Sequence, residues 1–107
     1  MTKICIKPLS VNEAWQGRRF KTDKYKAYEK ELLLRLKPMQ IPDGDLWLNL
    51  TFGFLTRGSD WDNGIKNFQD ILSKRYKFND NRIFGATVKK VITNEPFIEF
   101  AIEQYKY

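Results

Sequence analysis

Residues 46–54, LWLNLTFGF, decide the fold of this 107-residue chain. Large apolar side chains occupy every second position of the stretch: Leu46, Leu48, Leu50, Phe52 and Phe54. Successive side chains of a β-strand point to opposite faces, so this alternation predicts a long strand with one buried face.

Two helical segments flank this strand. Before it, a run begins after Thr22, a suitable N-cap residue, and ends at Pro38; its apolar residues recur at helical spacing, namely Tyr25, Tyr28, Leu32, Leu33 and Leu36. After it, a second helix is predicted from about residue 62 to residue 75, with a buried face formed by Ile65, Phe68, Ile71 and Leu72.

Three further strands complete the pattern. Residues 3–9 alternate in polarity and predict an opening strand, residues 10–20 predict a basic loop, and residues 83–93 and 97–105 predict two strands joined by a tight turn. Neither helix can bury its apolar stripe alone. We therefore expect an α/β (mixed α+β) fold in the order β-α-β-α-β-β, with a four-stranded mixed sheet and two packed helices forming one domain over residues 1–107.

The composition limits the possible functions. Lys and Arg total 19 against 13 Asp and Glu, giving a formal charge of +6, which is typical of proteins that bind polyanions such as nucleic acid or an anionic membrane surface. The single Cys5 and the absence of His exclude a disulfide framework, most zinc sites and His-based nucleophilic triads. Any metal must then be held mainly by oxygen ligands. A cytoplasmic location with no membrane span is expected.

Asp60 and Asp62 form the first candidate site. If both residues are extended, their side chains point to the same side within about 7 Å of each other. Such a pair is stabilised by a cation, and Mg²⁺ or Mn²⁺ bound by carboxylates, water and phosphate is the natural candidate. Alternatively, Asp62 or Asn63 caps the second helix.

Lys66 and Asp70 are four residues apart on the predicted second helix, and Asn63 lies on the same stripe. Lys66 would project beside the acidic pair, where it could neutralise a phosphate. It could equally form a solvated ion pair with Asp70.

Asp80 stands just before the third long strand. Acidic and amide residues at such a place usually serve a turn. A strand–helix–strand unit can, however, return the third strand beside the second, and we expect this to bring Asp80 near Asp60 and Asp62.

Basic residues cluster around the start of the first helix: Arg18, Arg19, Lys21, Lys24 and Lys26. Together with Arg57 they predict a surface that binds DNA phosphates, although a solvated helix face is the alternative. Trp47 and Trp61 are interpreted as core or dimer contacts rather than base-stacking residues, and Trp61 is expected to pack on the side opposite the two aspartates.

The combined spacing resembles the RusA family of Holliday junction resolvases. The residues that carry the resemblance are Asp60-Trp61-Asp62-Asn63, Lys66, Asp70 and Leu72, then Asp80-Asn81-Arg82-Ile83, a strand bearing Lys89 and Lys90, and the opening Pro8-Leu9-Ser10-Val11-Asn12. They extend from about residue 7 to residue 90.

The resemblance implies a homodimeric endonuclease that nicks branched DNA, the four-way junction, with Mg²⁺, and it suggests a phage or prophage role in recombination. It implies that Asp60, Asp62 and Asp80 are the essential acidic residues and metal ligands, that Lys66 is the essential lysine, and that Asn63 and Asp70 support the site. The chain departs from the family pattern in having only Arg57 before Gly58-Ser59, and in having Asn79 where a second acid often occurs. These departures bear on junction selectivity and on sequence preference.

Three alternatives stay open at this point. A non-catalytic nucleic-acid-binding module is explained by the charge alone. An interaction protein would use Asp60 and Asp62 only for capping and turns. A nuclease acting on flaps or other branched DNA would share the whole site.

Overall fold

The central strand has the bounds that its alternation predicts. A computed structural model describes residues 1–10, 14–16 and 20–106. Its elements in chain order are the strands β1 (Thr2–Ile4), β2 (Trp15–Gln16) and β3 (Phe20–Lys21), helix α1 (Asp23–Arg35), strand β4 (Leu46–Phe54), helix α2 (Ile65–Tyr76), a 3₁₀ turn (Asp80–Arg82), and the strands β5 (Ile83–Ile92) and β6 (Phe97–Gln104).

The main sheet has four strands in the order β1-β6-β4-β5. β4 runs parallel to β5 and antiparallel to β6, and β1 is antiparallel to β6. The predicted mixed sheet and the order β-α-β-α-β-β are confirmed. The segment predicted as a basic loop differs from that prediction, because it contains β2 and the start of β3, which form a small antiparallel pair.

Local capping residues mark the ends of both helices. The Thr22 side chain accepts a hydrogen bond from the Tyr25 amide at 3.2 Å, which confirms the predicted start of α1. α2 begins at Ile65 rather than near residue 62, because Gly64 is its N-cap and the preceding residues form turns. α2 ends at Tyr76, and its C-cap residue Lys77 has a φ of 57°, in the left-handed region common after a helix.

One face of the sheet carries the core. The alternate apolar residues of β4 join buried residues of α1 and α2 in a single cluster, and the Phe68 ring lies edge-on to Phe52 and Phe100 at centroid distances of 6.3 and 5.4 Å. Each such aromatic pair contributes about 1 kcal/mol of stability beyond that provided by burial of its surface area. Both helices are therefore held on this face of the sheet. No helix in residues 1–10, 14–16 and 20–106 is long and apolar enough to cross a membrane.

The other face is only partly covered. Trp47 stacks on Tyr105 with ring centroids 5.4 Å apart, and its indole N–H donates to Thr87 Oγ1 at 3.2 Å. Gly85 lies directly beneath this indole, since a Cβ at that position would be 2.3 Å from the Trp47 ring. The glycine thus lets the aromatic ring lie flat on β5, one of the two edge strands of the sheet.

Candidate active site

The two aspartates lie on the connection between β4 and α2, here called the acidic loop (residues 57–64). The Asn63 amide donates to the Asp60 carbonyl, and the Ile65 amide donates to the Asp62 carbonyl, both at 3.2 Å. These consecutive turns show that the expected extended conformation is wrong. Both side chains are nevertheless exposed, and two residues this near in sequence have Cα atoms no more than about 7 Å apart.

Neither Asp62 nor Asn63 caps the helix. The N-cap is Gly64, which has no side chain to accept a hydrogen bond. Within the part of the chain that the structure describes, no cationic group forms an ion pair with Asp60 or Asp62. The capping alternative is therefore wrong, and among the described residues the two carboxylates have no ion-pair partner that would account for them.

Lys90 holds the acidic loop against the sheet. Its ammonium group donates to the Arg57 carbonyl at 2.9 Å and to the Ser59 carbonyl. Lys90 pairs with Phe52 in the sheet, so the loop turns back over the end of β4 and β5. The sequence placed this lysine on a strand without indicating its role, because the contact joins residues 31 positions apart.

We expect Lys90→Met to loosen the acidic loop. The substitution keeps a long aliphatic chain but removes two charge-assisted hydrogen bonds, which should lower the free energy of unfolding by about 1–2 kcal/mol. Urea denaturation followed by circular dichroism measures the loss. Lys89→Met is the matched control, since Lys89 is exposed on the same strand. Equal stability of the two variants would show that the Lys90 contacts contribute nothing.

The segment that follows β1 lies beside the acidic loop. A shallow cavity of about 300 Å³ is lined by Lys7, Pro8, Ser10, Phe54, Gly58, Ser59 and Asn63. The buried Asn67 side chain donates to the Leu9 carbonyl at 2.9 Å and so fixes this segment on α2. Asn67 lies four residues before Ile71, on the apolar face of the helix, and that position was the only sequence signal for its structural role.

Lys66 lies in the first turn of α2, directly after the acidic loop. Its ammonium group is 3.0 Å from Asp70 Oδ1, and 62% of its side chain is exposed. The predicted ion pair with Asp70 is thus present. Burial, followed by the charges of Glu29 and Asp70, raises the pKa of the Tyr25 hydroxyl.

Asp80 lies at the opposite end of the sheet. β5 returns parallel to β4 as expected, with Ile83 beside Leu46 and Ile92 beside Phe54. Asp80 precedes Ile83, whereas the acidic loop follows Phe54, and nine residues of strand span about 26 Å. The expected convergence is therefore wrong for a single protomer, and the described residues contain no group of three or more Asp, Glu, Cys or His that could hold a metal.

The structure describes only part of the predicted basic surface. Lys24 and Lys26 are exposed at the start of α1, and Arg57 is exposed in the acidic loop. The Lys21 ammonium lies 4.3 Å from the centroid of the Tyr25 ring. Arg18 and Arg19 lie outside the described residues.

Trp61 does not pack in the protomer as expected. It is 55% exposed. Because it lies between Asp60 and Asp62 in a turn, it is held at the surface of the acidic loop.

A family model described as "Endodeoxyribonuclease RusA" matches residues 8–103. The match contains the acidic loop, Lys66, Asp80 and all of β4, α2 and β5. No curated protein matches the chain.

Proposed function

The chain belongs to the RusA family of endodeoxyribonucleases, and on that premise we propose that it is a Mg²⁺-dependent nuclease of phage or prophage type. It would act in the cytoplasm and nick four-way DNA junctions during recombination and repair. The family implies an endodeoxyribonuclease acting on Holliday junctions. The metal, the cellular setting and the residue roles are our proposal.

The observation that carries the proposal is the pair of exposed carboxylates at Asp60 and Asp62. They neither cap α2 nor pair with a described cation, and two neighbouring anions without a partner repel each other. Carboxylate oxygens that leave room for water and phosphate suit Mg²⁺, and Mn²⁺ accepts the same ligands. The donor set therefore fits the metal that the family implies.

The proposed third ligand, Asp80, cannot come from the same protomer because β4 separates it from the acidic loop. We propose that each metal site joins Asp60 and Asp62 of one protomer to Asp80 of the partner subunit. A twofold homodimer would contain two such sites, which matches the two symmetric cuts that resolve a four-way junction.

The other residues would bind and orient the DNA. Bound Mg²⁺ would polarise the scissile phosphate and lower the pKa of a water molecule for attack. Lys66 would turn from Asp70 to the phosphate and offset the negative charge that develops there. Asn63 would orient the acidic loop, and the basic surface formed by Arg18, Arg19, Lys21, Lys24, Lys26 and Arg57 would hold the DNA arms.

A cleavage assay tests the proposal directly. The protein is incubated with a synthetic four-way junction, a flap and a linear duplex, each with Mg²⁺ or with EDTA. We expect paired nicks in the junction only when Mg²⁺ is present. Preferential cutting of the flap would assign the site to other branched DNA, and binding without cutting under Mg²⁺ and Mn²⁺ would identify a non-catalytic module.

A further inference from the structure

Two ion pairs occupy successive turns of α2. Lys66 pairs with Asp70 within the helix at 3.0 Å, and Lys74, one turn after Asp70, pairs with Glu29 of α1 at 3.1 Å. The side chains of the two lysines are 62% and 61% exposed, whereas those of Asp70 and Glu29 are 33% and 20% exposed. The lysines can therefore leave these pairs, while the carboxylates stay at the junction of the two helices.

The Tyr25 hydroxyl is buried and has no hydrogen-bond partner among the described residues. Tyr25 lies on α1 one turn before Glu29, and the whole residue is 2% exposed. The pKa of this hydroxyl is raised first by burial and then by the charges of Glu29 and Asp70, so both carboxylates are near enough to act on it. A buried donor is thus held close to two acceptors that already have lysine partners.

We propose that Tyr25 is a positioning residue for Lys66. When Lys66 leaves Asp70 for the scissile phosphate, the Tyr25 hydroxyl donates a hydrogen bond to the Asp70 carboxylate and replaces the lost partner. This inference rests on the proposed function, which requires that movement of Lys66.

The exchange lowers the cost of releasing the lysine. A partly buried carboxylate that loses its only cation is left with unsatisfied oxygens, and this cost opposes the release. A hydrogen bond to an ionised carboxylate is stronger than one between neutral groups, and a phenolic hydroxyl has a single proton to donate. Because Glu29 keeps Lys74 throughout, that proton is available to Asp70.

Lys66→Met imitates the departed lysine and tests the exchange without DNA. Tyr25→Phe removes only the hydroxyl and keeps the ring, whose centroid lies 4.3 Å from the Lys21 ammonium. In the wild-type chain, Tyr25→Phe should leave the midpoint of urea denaturation unchanged or raise it, because the hydroxyl has no partner to lose. In the Lys66→Met background it should be destabilising, with the unfolding equilibrium constant raised roughly tenfold, because the hydroxyl then donates to a charged group.

Tyr28→Phe is the matched control. The Tyr28 hydroxyl lies on the same helix and is likewise buried without a partner in the described part of the chain, but the charge of Asp70 does not act on it. Tyr28→Phe should therefore change the stability equally in both backgrounds. If Tyr25→Phe also has the same effect with and without Lys66, the inference is overturned.

Single-turnover kinetics give a measurement that does not depend on the Lys66 variant. Tyr25→Phe should nick a four-way junction about tenfold more slowly than the wild type, because the state with Lys66 released is less populated. Its Kd for the junction in EDTA should be unchanged, and Tyr28→Phe should nick at the wild-type rate. A Tyr25→Phe protein that nicks as fast as the wild type would contradict the positioning role.

The two proposals fail in different ways. If Tyr25→Phe is destabilising only in the Lys66→Met background and the wild type never cuts a junction in Mg²⁺ or Mn²⁺, the exchange of partners stands and the nuclease assignment falls. If the wild type cuts while Tyr25→Phe behaves alike in both backgrounds, the nuclease assignment stands and the role of Tyr25 is wrong.

Discussion

Asp62→Asn should abolish nicking of a four-way junction while leaving DNA affinity unchanged or slightly higher. Loss of residues that only orient metal ligands typically lowers metal affinity or activity 10–100-fold. Loss of a direct ligand should therefore reduce the single-turnover rate by more than about 100-fold. The substitution also removes a negative charge near DNA phosphate, and this favours binding. Cleavage in Mg²⁺ and gel shifts in EDTA measure the two effects separately.

The control for this variant is Glu103→Gln, which neutralises an exposed acid on β6. It should cut at the wild-type rate. An Asp62→Asn protein that is folded and still cuts normally would remove Asp62 from the site. A folded variant that loses binding and cutting to the same extent would indicate a role in holding DNA rather than in the chemistry.

Mixing two inactive variants should restore activity. In a dimer of Asp62→Asn with Asp80→Asn, one site combines both substitutions, but the other joins an intact acidic loop to an intact Asp80 from the other chain. Random pairing makes half of the dimers mixed, each with one active site of two, so the mixture should show about a quarter of the wild-type nicking rate. Each variant alone should be inactive.

Refolding the two variants together and assaying nicks on a labelled junction measures this rescue. The control mixes Asp60→Asn with Asp62→Asn, which share one loop and should not rescue each other. An inactive mixture of Asp62→Asn with Asp80→Asn, in which exchange of subunits is demonstrated, would show that the partner subunit does not supply the third ligand.

The elements with strong periodicity were predictable from the sequence. The alternation from Leu46 to Phe54 gave the correct bounds of β4, because burial of one face leaves a signal at every second residue. The start of α1 was predictable from Thr22, whose side chain occupies an N-cap. α2 was placed to within a few residues, and its start was missed because Gly64 rather than a polar side chain stands at the N-cap.

The main error was the prediction that Asp80 lies near the acidic loop, and its cause is the direction in which the strands run. Strands of a parallel pair start at the same end of a sheet, as Leu46 and Ile83 do. A residue that precedes the second strand must therefore lie away from a loop that follows the first. The sequence pattern indicated that β5 could lie beside β4, as it does, and the parallel direction of the two strands excludes convergence within one protomer.

Contacts between distant residues were not predictable from local patterns. The bonds from Lys90 to the acidic loop and from Asn67 to Leu9 depend on the tertiary arrangement of β5, α2 and the first residues. The exposure of Trp61 likewise follows from a turn where an extended segment was expected. These features shape the surroundings of the two aspartates, which were predicted as candidate site residues from their spacing and from the family resemblance.

The pairing of β1 with β6 has a consequence for synthesis of the protein. β6 lies between β1 and β4, so β1 has no strand to pair with until residues 97–104 have been synthesised. A chain emerging from the ribosome therefore leaves β1 without a strand partner and one edge of β4 unpaired until residues 97–104 have been translated.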